Sequence, residues 1–524
     1  MRLSSLRIVT GISCLLFGAA AWHLNTSPFT AEAETGQAKT APASPSHPQL
    51  VTVSASAPAV PSIPQPKIAA PGTELYTAKR GEAIPTIARR LLGKTSYLTS
   101  SELADAIRAA NHKSDSSNIL KANEDIVIPG ILPAPITEKT IPVPKDFEVR
   151  AIYLTGVMAA SDHGLRIVRH WREVGGNAVV FDIKDSDGSV NIPFEHPLLG
   201  QHHVYIHDVP KLVHFLHQQN MHAIARIAIF RDERLVKEHP ELAVQSRKNH
   251  TAWRENGKLV WTDPSNLTVQ DYDIALAKHV AQLGVDEIQF DYVRFPAEGD
   301  QKDAAFVFQS EAPDMQGVVA ERTVASETKH AKSDDKHTVK SREPQRPDVI
   351  TGFLKKAYAE LHPTGVLLSL DVFGVMAWQR QVDLSHTGQD IVGMAHYCDV
   401  LSPMIYPSHF FGMDGIAHPG DEPAHFIGES MDRFELITKG SGVVIRPWLQ
   451  AFHWRTKTYS PEYIKVQVET ARAKGGIGFL FWNAANDYSK PYIAMPEMKA
   501  ASSKYFRGDE LPEKRVQAAL QAIQ

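Results

Sequence analysis

The chain has 524 residues, 43 % of them hydrophobic and 22 % charged, so it is long enough to fold into more than one domain. Lys and Arg number 55 against 59 for Asp and Glu, and this net charge of −4 gives no electrostatic reason to expect a nucleic-acid partner. The two cysteines, Cys14 and Cys398, lie far apart, and loss of an N-terminal leader would leave Cys398 without an internal disulfide partner.

Residues 1–24, MRLSSLRIVTGISCLLFGAAAWHL, have the form of an export signal. Arg2 and Arg7 precede an apolar run, and the small residues Ala19 and Ala21 lie near its end. The alternative is a membrane anchor that is not cleaved. Both interpretations predict an exported protein of the periplasm, the cell envelope or the extracellular space.

Residues 25–72 are rich in Pro, Ala, Ser and Thr and contain few aromatic residues. Such a composition cannot bury enough apolar surface to offset the entropy lost on ordering, so we expect a disordered linker.

Residues 73–130 predict a small domain with the order strand, helix, helix, strand, with Ser101 as the N-cap of the second helix. The segment resembles the LysM carbohydrate-binding module through Tyr76, Gly81, Ile87, Ala88, Ile107, Ala110, Asn111, Asn118, Ile119 and Ile126 to Pro129. The resemblance implies binding to peptidoglycan or a chitin-like glycan. The alternative is a small spacer domain that binds nothing.

Residues 145–500 alternate short apolar runs with amphipathic stretches, the pattern of parallel strands joined by helices. The eight runs are VRAIYLTG, AVVFDIKDSDG, HAIARIAIF, EIQFDYVRF, GVLLSLDVFG, DVLSPMIYPS, VVIRPWLQAF and GIGFLFWNAAN. The predicted fold class is therefore α/β, a (β/α)8 TIM barrel whose chemistry lies at the C-terminal ends of the strands. A polar insertion at 298–347 follows the fourth run, and residues 501–524 form a C-terminal tail.

Polar and aromatic side chains recur at the C-terminal ends of these runs, on the face given by every second position. Carboxylates that hold hydroxyls and aromatic rings that stack on pyranose rings are typical of a sugar site. The predicted substrate-binding residues are Asp182, Lys184, Arg226, Tyr292, Arg294, Tyr406, His409, Arg446, Trp448, Gln450, Trp482 and Asn483.

Asp291 and Asp371 end the fourth and fifth runs, and neighbouring strands lie about 4.8 Å apart. Glycoside cleavage needs two carboxyl groups about 5–5.5 Å apart for retention, or further apart for inversion. These two aspartates are the predicted catalytic pair. No compact histidine pair lies at a strand end, so we predict neither a metal nor a cofactor.

The stretches VVFDIKDSDG, FDYVRFP, SLDVFG, SPMIYPSHF, IRPWLQAF and FLFWNAAN resemble the DUF4015 family of glycoside hydrolase-like barrels, which is distantly similar to the α-amylase-like barrels. The resemblance implies that Asp291 is the nucleophile and Asp371 the acid/base. The fifth strand departs from the amylase-like pattern, because it carries Asp where that pattern has Glu.

Three functions follow as hypotheses. The first is an exported glycoside hydrolase that cleaves a cell-envelope or extracellular polysaccharide, held at the wall by the LysM-like module. The second is a non-catalytic protein that binds cell-wall polysaccharide. The third, a metal-dependent deacetylase or hydrolase, requires a ligand cluster that the sequence lacks.

Overall fold

The computed structural model describes residues 70–114, 118–309 and 343–508. The export signal or anchor at 1–24, the linker at 25–72 up to residue 69, the middle of the insertion and the tail beyond residue 508 lie outside these ranges. In the described part of the chain, no helix is both long enough and apolar enough to cross a membrane.

The small N-terminal domain contains β1 (Thr73–Thr77), α1 (Ile84–Leu91), α2 (Ser100–Ala110) and β2 (Asp125–Pro129), with β1 and β2 antiparallel. Its apolar core comes from one face of each helix and from β2. The N-cap of α2 is Thr99 rather than the predicted Ser101, because the Thr99 side chain accepts a hydrogen bond from the backbone N–H of Glu102. The Asn111 side chain ties α2 to β2 by bonding both backbone groups of Val127.

Eight parallel strands form a closed barrel, which confirms the predicted fold of this part of the chain. They are β3 (Val149–Leu154), β4 (Ala178–Lys184), β5 (His222–Ala228), β6 (Glu287–Asp291), β7 (Leu367–Phe373), β8 (Val400–Ile405), β9 (Val444–Ile445 and Trp448–Gln450) and β10 (Gly478–Trp482). Pairing runs from each strand to the next in the chain, and β10 pairs with β3 to close the ring.

Helices follow the strands in the order expected of a (β/α)8 fold. The longer ones are α3 (Asp162–Glu173), α4 (Val209–Gln218), α5 (Leu267–Ala281), α6 (Arg346–Leu361), α7 (Pro423–Thr438), α8 (Pro461–Ala473) and α9 (Ser489–Ala500). Shorter helices are Gly156–Ala159, Glu233–Glu238, Gln381–Thr387, Ile391–Met394 and Ser502–Tyr505, and two-residue strands occur at Gln245–Ser246, Arg254–Glu255, Leu259–Val260 and Ala304–Ala305.

Alternation along each strand separates two apolar layers. Outward-facing residues such as Ile152 and Phe181 pack under the helices, whereas Ala151 and Val180 belong to a smaller cluster inside the barrel. This inner cluster also contains Ile141 from the segment before β3.

The N-terminal end of the barrel is closed by this segment and by buried charge. The Ile141 backbone N–H donates to the Asp286 carboxylate at 2.7 Å, just before β6. At the start of β6, both carboxylate oxygens of Glu287 accept from Arg446 Nη1 at 2.9 Å, and Oε2 also lies 3.1 Å from His222 Nε2. The C-terminal end is therefore the end of the barrel that can receive a ligand.

Candidate active site

A cavity lies at the C-terminal end of the barrel. Six strands, β5 to β10, and loops that follow them contribute to it, so the site depends on the assembled barrel. Its lining residues are Arg226, Asp291, Tyr292, Arg294, Asp371, Phe373, Gln389, Met404, Tyr406, Trp448 and Trp482.

Asp291 and Asp371 lie side by side in this cavity. Each is one residue past a paired position, because Phe290 of β6 is the partner of Leu370 of β7. Asp291 Oδ2 and Asp371 Oδ2 lie 3.2 Å and 3.9 Å from the same atom, Arg226 Nε, so they are at most about 7 Å apart. This range includes the separations of both retaining and inverting glycosidases.

Arg226, from β5, is the centre of the charge network. Its Nη2 donates to Asp291 Oδ2 at 2.6 Å, and its Nη1 donates to Asp182 Oδ1 at 2.6 Å. The guanidinium also lies 5.2 Å from the ring centroid of Trp482 and 5.7 Å from that of Tyr153. Charge-assisted bonds of this kind favour the ionised form of the carboxylates that accept them.

Asp371 has a different environment from Asp291. It is 1 % exposed, and Trp448 Nε1 donates to its Oδ1 at 2.6 Å. Burial raises the pKa of Asp371 well above its ordinary value, and the nearby charge of Asp291 raises it further. A raised pKa favours the protonated form of a carboxyl group, and a protonated carboxyl group can act as an acid.

The third carboxyl group, Asp182 of β4, balances the same arginine. Its Oδ2 accepts a hydrogen bond from the Tyr153 hydroxyl. Burial raises the pKa of Asp182 to about 7, although the charge of Arg226 acts in the opposite direction. One guanidinium therefore faces three carboxyl groups. Asp291 accepts two of its hydrogen bonds, whereas Asp371 lies 3.9 Å away and has a raised pKa.

Aromatic rings form one wall of the cavity. Trp482 of β10 stacks on Tyr153 at 4.1 Å between ring centroids and meets Trp448 edge-on at 5.6 Å. Tyr406 also lines the cavity, and burial raises the pKa of its hydroxyl well above the ordinary value. Rings held in this way present fixed faces and edges on which a sugar ring can pack.

The structure brings most of the predicted residues to the cavity or its immediate support. In the lining are Asp291, Asp371, Arg226, Tyr292, Arg294, Tyr406, Trp448 and Trp482. Asp182 lies behind Arg226 as its second ion-pair partner at 2.6 Å.

The prediction that Lys184 lies in the substrate site is wrong, because this residue does not line the cavity. Strict alternation puts it on the same face as Asp182, but the pairing of β4 with β5 shifts by one residue between these two positions. The bulge redirects the Lys184 side chain, whose Nζ lies 2.8 Å from both Asp232 and Asp273. Lys184 is thus buried in a separate ion cluster rather than in the cavity.

Four further predicted residues do not line the cavity. Arg446 pairs with Glu287 at the N-terminal end of the barrel. Gln450 and Asn483 bond loop backbone, Gln450 through Phe452 O and Asn483 through Ala451 O. His409 packs 5.4 Å from Tyr406. Each of these residues lies at an inward-facing strand position or just after a strand. Its side chain, however, contacts neighbouring parts of the protein instead of the cavity.

The sequence pattern of alternate strand positions did not predict three residues of the site and its support, Tyr153, Phe373 and Gln389. Tyr153 would have been found by the same period-two pattern applied to β3, where it follows Ala151 on the inner face. Gln389 comes from the loop between two short helices, where no periodicity marks it. In the part of the chain that the structure describes, no group of three His, Cys, Asp or Glu residues could hold a metal ion.

A family profile and several solved structures match this chain. The family profile DUF4015, described as "Putative glycosyl hydrolase domain", matches residues 151–488. The chain belongs to the DUF4015 family. No match was found among curated proteins.

Three solved structures illustrate the similarity of this DUF4015 chain to other barrels. A hypothetical protein from Ruminiclostridium thermocellum is 32 % identical, with 42 % of this chain and 97 % of that chain covered and a TM-score of 0.32. The PgaB (BpsB) glycoside hydrolase domain from Bordetella bronchiseptica is 13 % identical, with 69 % and 100 % covered and a TM-score of 0.48. The spore cortex-lytic enzyme SleL from Bacillus megaterium is 11 % identical, with 83 % and 87 % covered and a TM-score of 0.39.

Proposed function

We propose that this protein is an exported glycoside hydrolase that cleaves a cell-envelope or extracellular polysaccharide, with Asp291 and Asp371 as its catalytic pair. The observation that carries the proposal is the contrast between two adjacent carboxyl groups in one cavity. Asp291 accepts two hydrogen bonds from Arg226, whereas Asp371 is buried and its pKa is raised. Such a contrast separates a nucleophile from an acid.

In the proposed reaction, Asp371 gives its proton to the glycosidic oxygen while the bond from that oxygen to the anomeric carbon breaks. The Asp291 carboxylate attacks the anomeric carbon and forms a glycosyl ester. Asp371, now ionised, takes a proton from water, and the resulting hydroxide displaces Asp291 from the sugar. Arg226 stabilises Asp291 before the attack and after its release.

The N-terminal regions complete the proposal. Residues 1–24 would direct export or anchor the chain in the membrane, and residues 73–130 would act as a LysM-like module that binds peptidoglycan or a chitin-like glycan. The support for the module is the order of its elements and the two-stranded antiparallel sheet that β1 and β2 form.

The test is a screen of the purified full chain for new reducing ends on envelope polysaccharides, with Asp291→Asn and Asp371→Asn as variants. Asp291→Asn should lower turnover by about 10⁴-fold, since an amide cannot form the glycosyl ester. Asp371→Asn should impair poor leaving groups far more than activated aryl glycosides, which need no protonation.

Asp187→Asn provides a matched control, because Asp187 follows β4 at the same end of the barrel, is about half exposed and lies outside the cavity lining. It should retain full activity. Near-normal hydrolysis by the Asp291 and Asp371 variants would contradict the assignment. A wild-type protein that binds a glycan without cleaving any would support the non-catalytic alternative.

A further inference from the structure

Two arginines flank the tyrosine that follows Asp291. The guanidinium carbons of Arg231 and Arg294 lie 5.2 Å and 5.6 Å from the ring centroid of Tyr292. Arg231 Nη1 also donates to the Tyr292 hydroxyl at 2.9 Å. Tyr292 has φ +55°, a conformation that is costly for a bulky residue and therefore must be held by its surroundings.

Arg294 itself lines the cavity and is held by aromatic rings. Its guanidinium lies 4.5 Å from the ring centroids of both Trp261 and Phe373. Its Nη1 donates to Phe295 O at 3.0 Å. A guanidinium has five N–H donors in a planar fork, so this backbone bond leaves most of the fork for another acceptor.

Among the described residues, no carboxylate oxygen lies within 4.0 Å of a side-chain nitrogen of Arg231 or Arg294, whose hydrogen bonds go to the Tyr292 hydroxyl and to Phe295 O. Arg294 acts on Glu298 only from a distance: burial and then Glu255 raise the pKa of Glu298, and Arg294 lowers it by less. Two cations close to one ring repel each other, and an anion bound near both would offset this repulsion.

Three buried cations of the barrel differ from this pair. Arg226, Lys184 and Arg446 each have a carboxylate oxygen within 2.9 Å. Their charge is therefore balanced by a carboxylate of the protein, whereas Arg294 lines the cavity without such a close partner among the described residues. An aromatic-stacked guanidinium with free donors is suited to bidentate recognition of an oxyanion.

From this geometry we infer that the substrate is an acidic glycan, whose ring carries a carboxylate or sulfate group that Arg294 binds with the help of Arg231. The inference rests on the proposed function and adds a substrate class to it. Because Arg294 and Asp291 line the same cavity, the acidic group belongs to a sugar at or next to the bond that is cleaved.

The test measures binding and cleavage separately. The full chain is run in affinity electrophoresis at about 0.15 M salt, which screens non-specific attraction between exposed charges. The probes are hyaluronan, polygalacturonate, alginate and peptidoglycan glycan strands freed of peptide, each beside its carboxyl-reduced neutral form. A sulfated derivative of each reduced polymer distinguishes recognition of a carboxylate from recognition of any oxyanion.

We expect at least one acidic polymer to bind at least about tenfold more tightly than its reduced form, since loss of a charge-assisted pair costs this much or more. Arg294→Gln should abolish that preference, and Arg294→Lys should restore part of it. Arg234→Gln, which removes an exposed arginine at the same end of the barrel, should keep the preference.

Equal binding of every acidic polymer and its reduced form would overturn the inference, as would an unchanged preference in Arg294→Gln. Cleavage is scored on the same polymers by new reducing ends. Cleavage of neutral polymers without preference for acidic ones would refute the acidic substrate and leave the hydrolase proposal intact. Selective binding without cleavage would refute the hydrolase and leave the acidic ligand intact.

Discussion

At the scale of single residues, the candidate site depends on how one arginine is shared. Arg226 is 2 % exposed and contacts Asp182 and Asp291, with Asp371 at 3.9 Å. Removal of this cation would leave two carboxyl groups buried without a counter-charge. Buried ion pairs broken in this way cost far more than exposed ones.

Arg226→Met should therefore lower the free energy of unfolding by about 3–5 kcal/mol and also abolish activity, measured by urea unfolding and by reducing-end release. Arg150→Met offers a comparison, because Arg150 is also buried and pairs with Glu148 at 3.2 Å. This pair lies at the N-terminal end of β3, away from the cavity. That variant should lose stability but keep kcat in the folded fraction. Full activity in folded Arg226→Met would contradict the role of the shared arginine.

Trp448 provides a second test at this scale. Its indole N–H donates to Asp371 Oδ1 at 2.6 Å, and this bond lowers the pKa of Asp371 against the larger effect of burial. Trp448→Phe should raise that pKa further, so the alkaline limb of the kcat/KM profile should move to higher pH. Trp171→Phe, which loses an indole bond to Arg150 O outside the cavity, should leave the limb in place. An unmoved limb in Trp448→Phe would exclude Asp371 as the acid.

Both catalytic candidates could be predicted from the sequence, because parallel strands put their C-terminal ends at one end of a barrel and alternation selects one face. Lys184 could not be assigned correctly by the same argument. A bulge between Asp182 and Lys184 changes the face by one residue, and nothing in AVVFDIKDSDG marks it. The environment of Tyr292 could not be predicted either, since Arg231, which donates to its hydroxyl, lies 61 residues earlier in the chain.

At the scale of elements, the bulged end of β4 is joined to α5 by buried charge. Lys184 lies between Asp232 and Asp273, so one ammonium faces two carboxyl groups. Burial raises the pKa of Asp273 to about 7, although Lys184 opposes the change. The eight strands and their order were predictable from apolar runs, whereas this cross-connection depends on side chains far apart in the chain.

The raised pKa of Asp273 predicts a pH dependence of stability. An unfolded aspartate titrates near 3.8, so the folded state keeps a proton that the unfolded chain loses between about pH 4 and 7. The stabilisation is complete below pH 3.8 and is lost as the pH rises through 7. Relative to Asp273→Asn, the wild type should therefore lose stability across this range, by about 1.4 kcal/mol for each unit of pKa difference.

Urea unfolding at intervals from pH 4 to pH 8 measures this difference. Asp271→Asn is the matched control, because Asp271 lies on the same helix, is exposed and pairs only at the surface with Lys356. Its stability should follow the wild type at every pH. Parallel curves for wild type and Asp273→Asn would show that Asp273 is ionised in the folded state.

At the scale of the whole molecule, the small domain is docked on the side of the barrel. Arg169 of α3 donates to Glu102 of α2 at 2.8 Å, and the Lys211 ammonium of α4 donates to the backbone carbonyls of Leu92 and Tyr97 at 3.1 Å and 3.3 Å. The two domains could be predicted separately from their patterns. Their contact could not, because it joins side chains that are far apart in the chain to one another and to backbone oxygens that carry no sequence signal.

Among the described residues of the small domain, one large apolar side chain is strongly exposed. Ile119 is 83 % exposed, and its backbone bridges to Ala83 at the start of α1. If the LysM-like module binds peptidoglycan or a chitin-like glycan, this residue is a candidate contact, because an exposed apolar side chain gains when it is covered. Binding by the module would then raise the effective concentration of the barrel at an insoluble polymer.

Ile119→Asp should therefore reduce both pull-down with insoluble peptidoglycan or chitin and hydrolysis of that polymer, by about tenfold or more, because attachment is lost. Turnover of soluble fragments of the same glycan should not change, since Ile119 lies in the small domain and outside the cavity. Leu436→Asp, at a 72 % exposed position on α7, tests whether any added surface charge has this effect. If both variants sediment with the polymer as well as the wild type does, the small domain is a spacer and the barrel reaches its substrate without it.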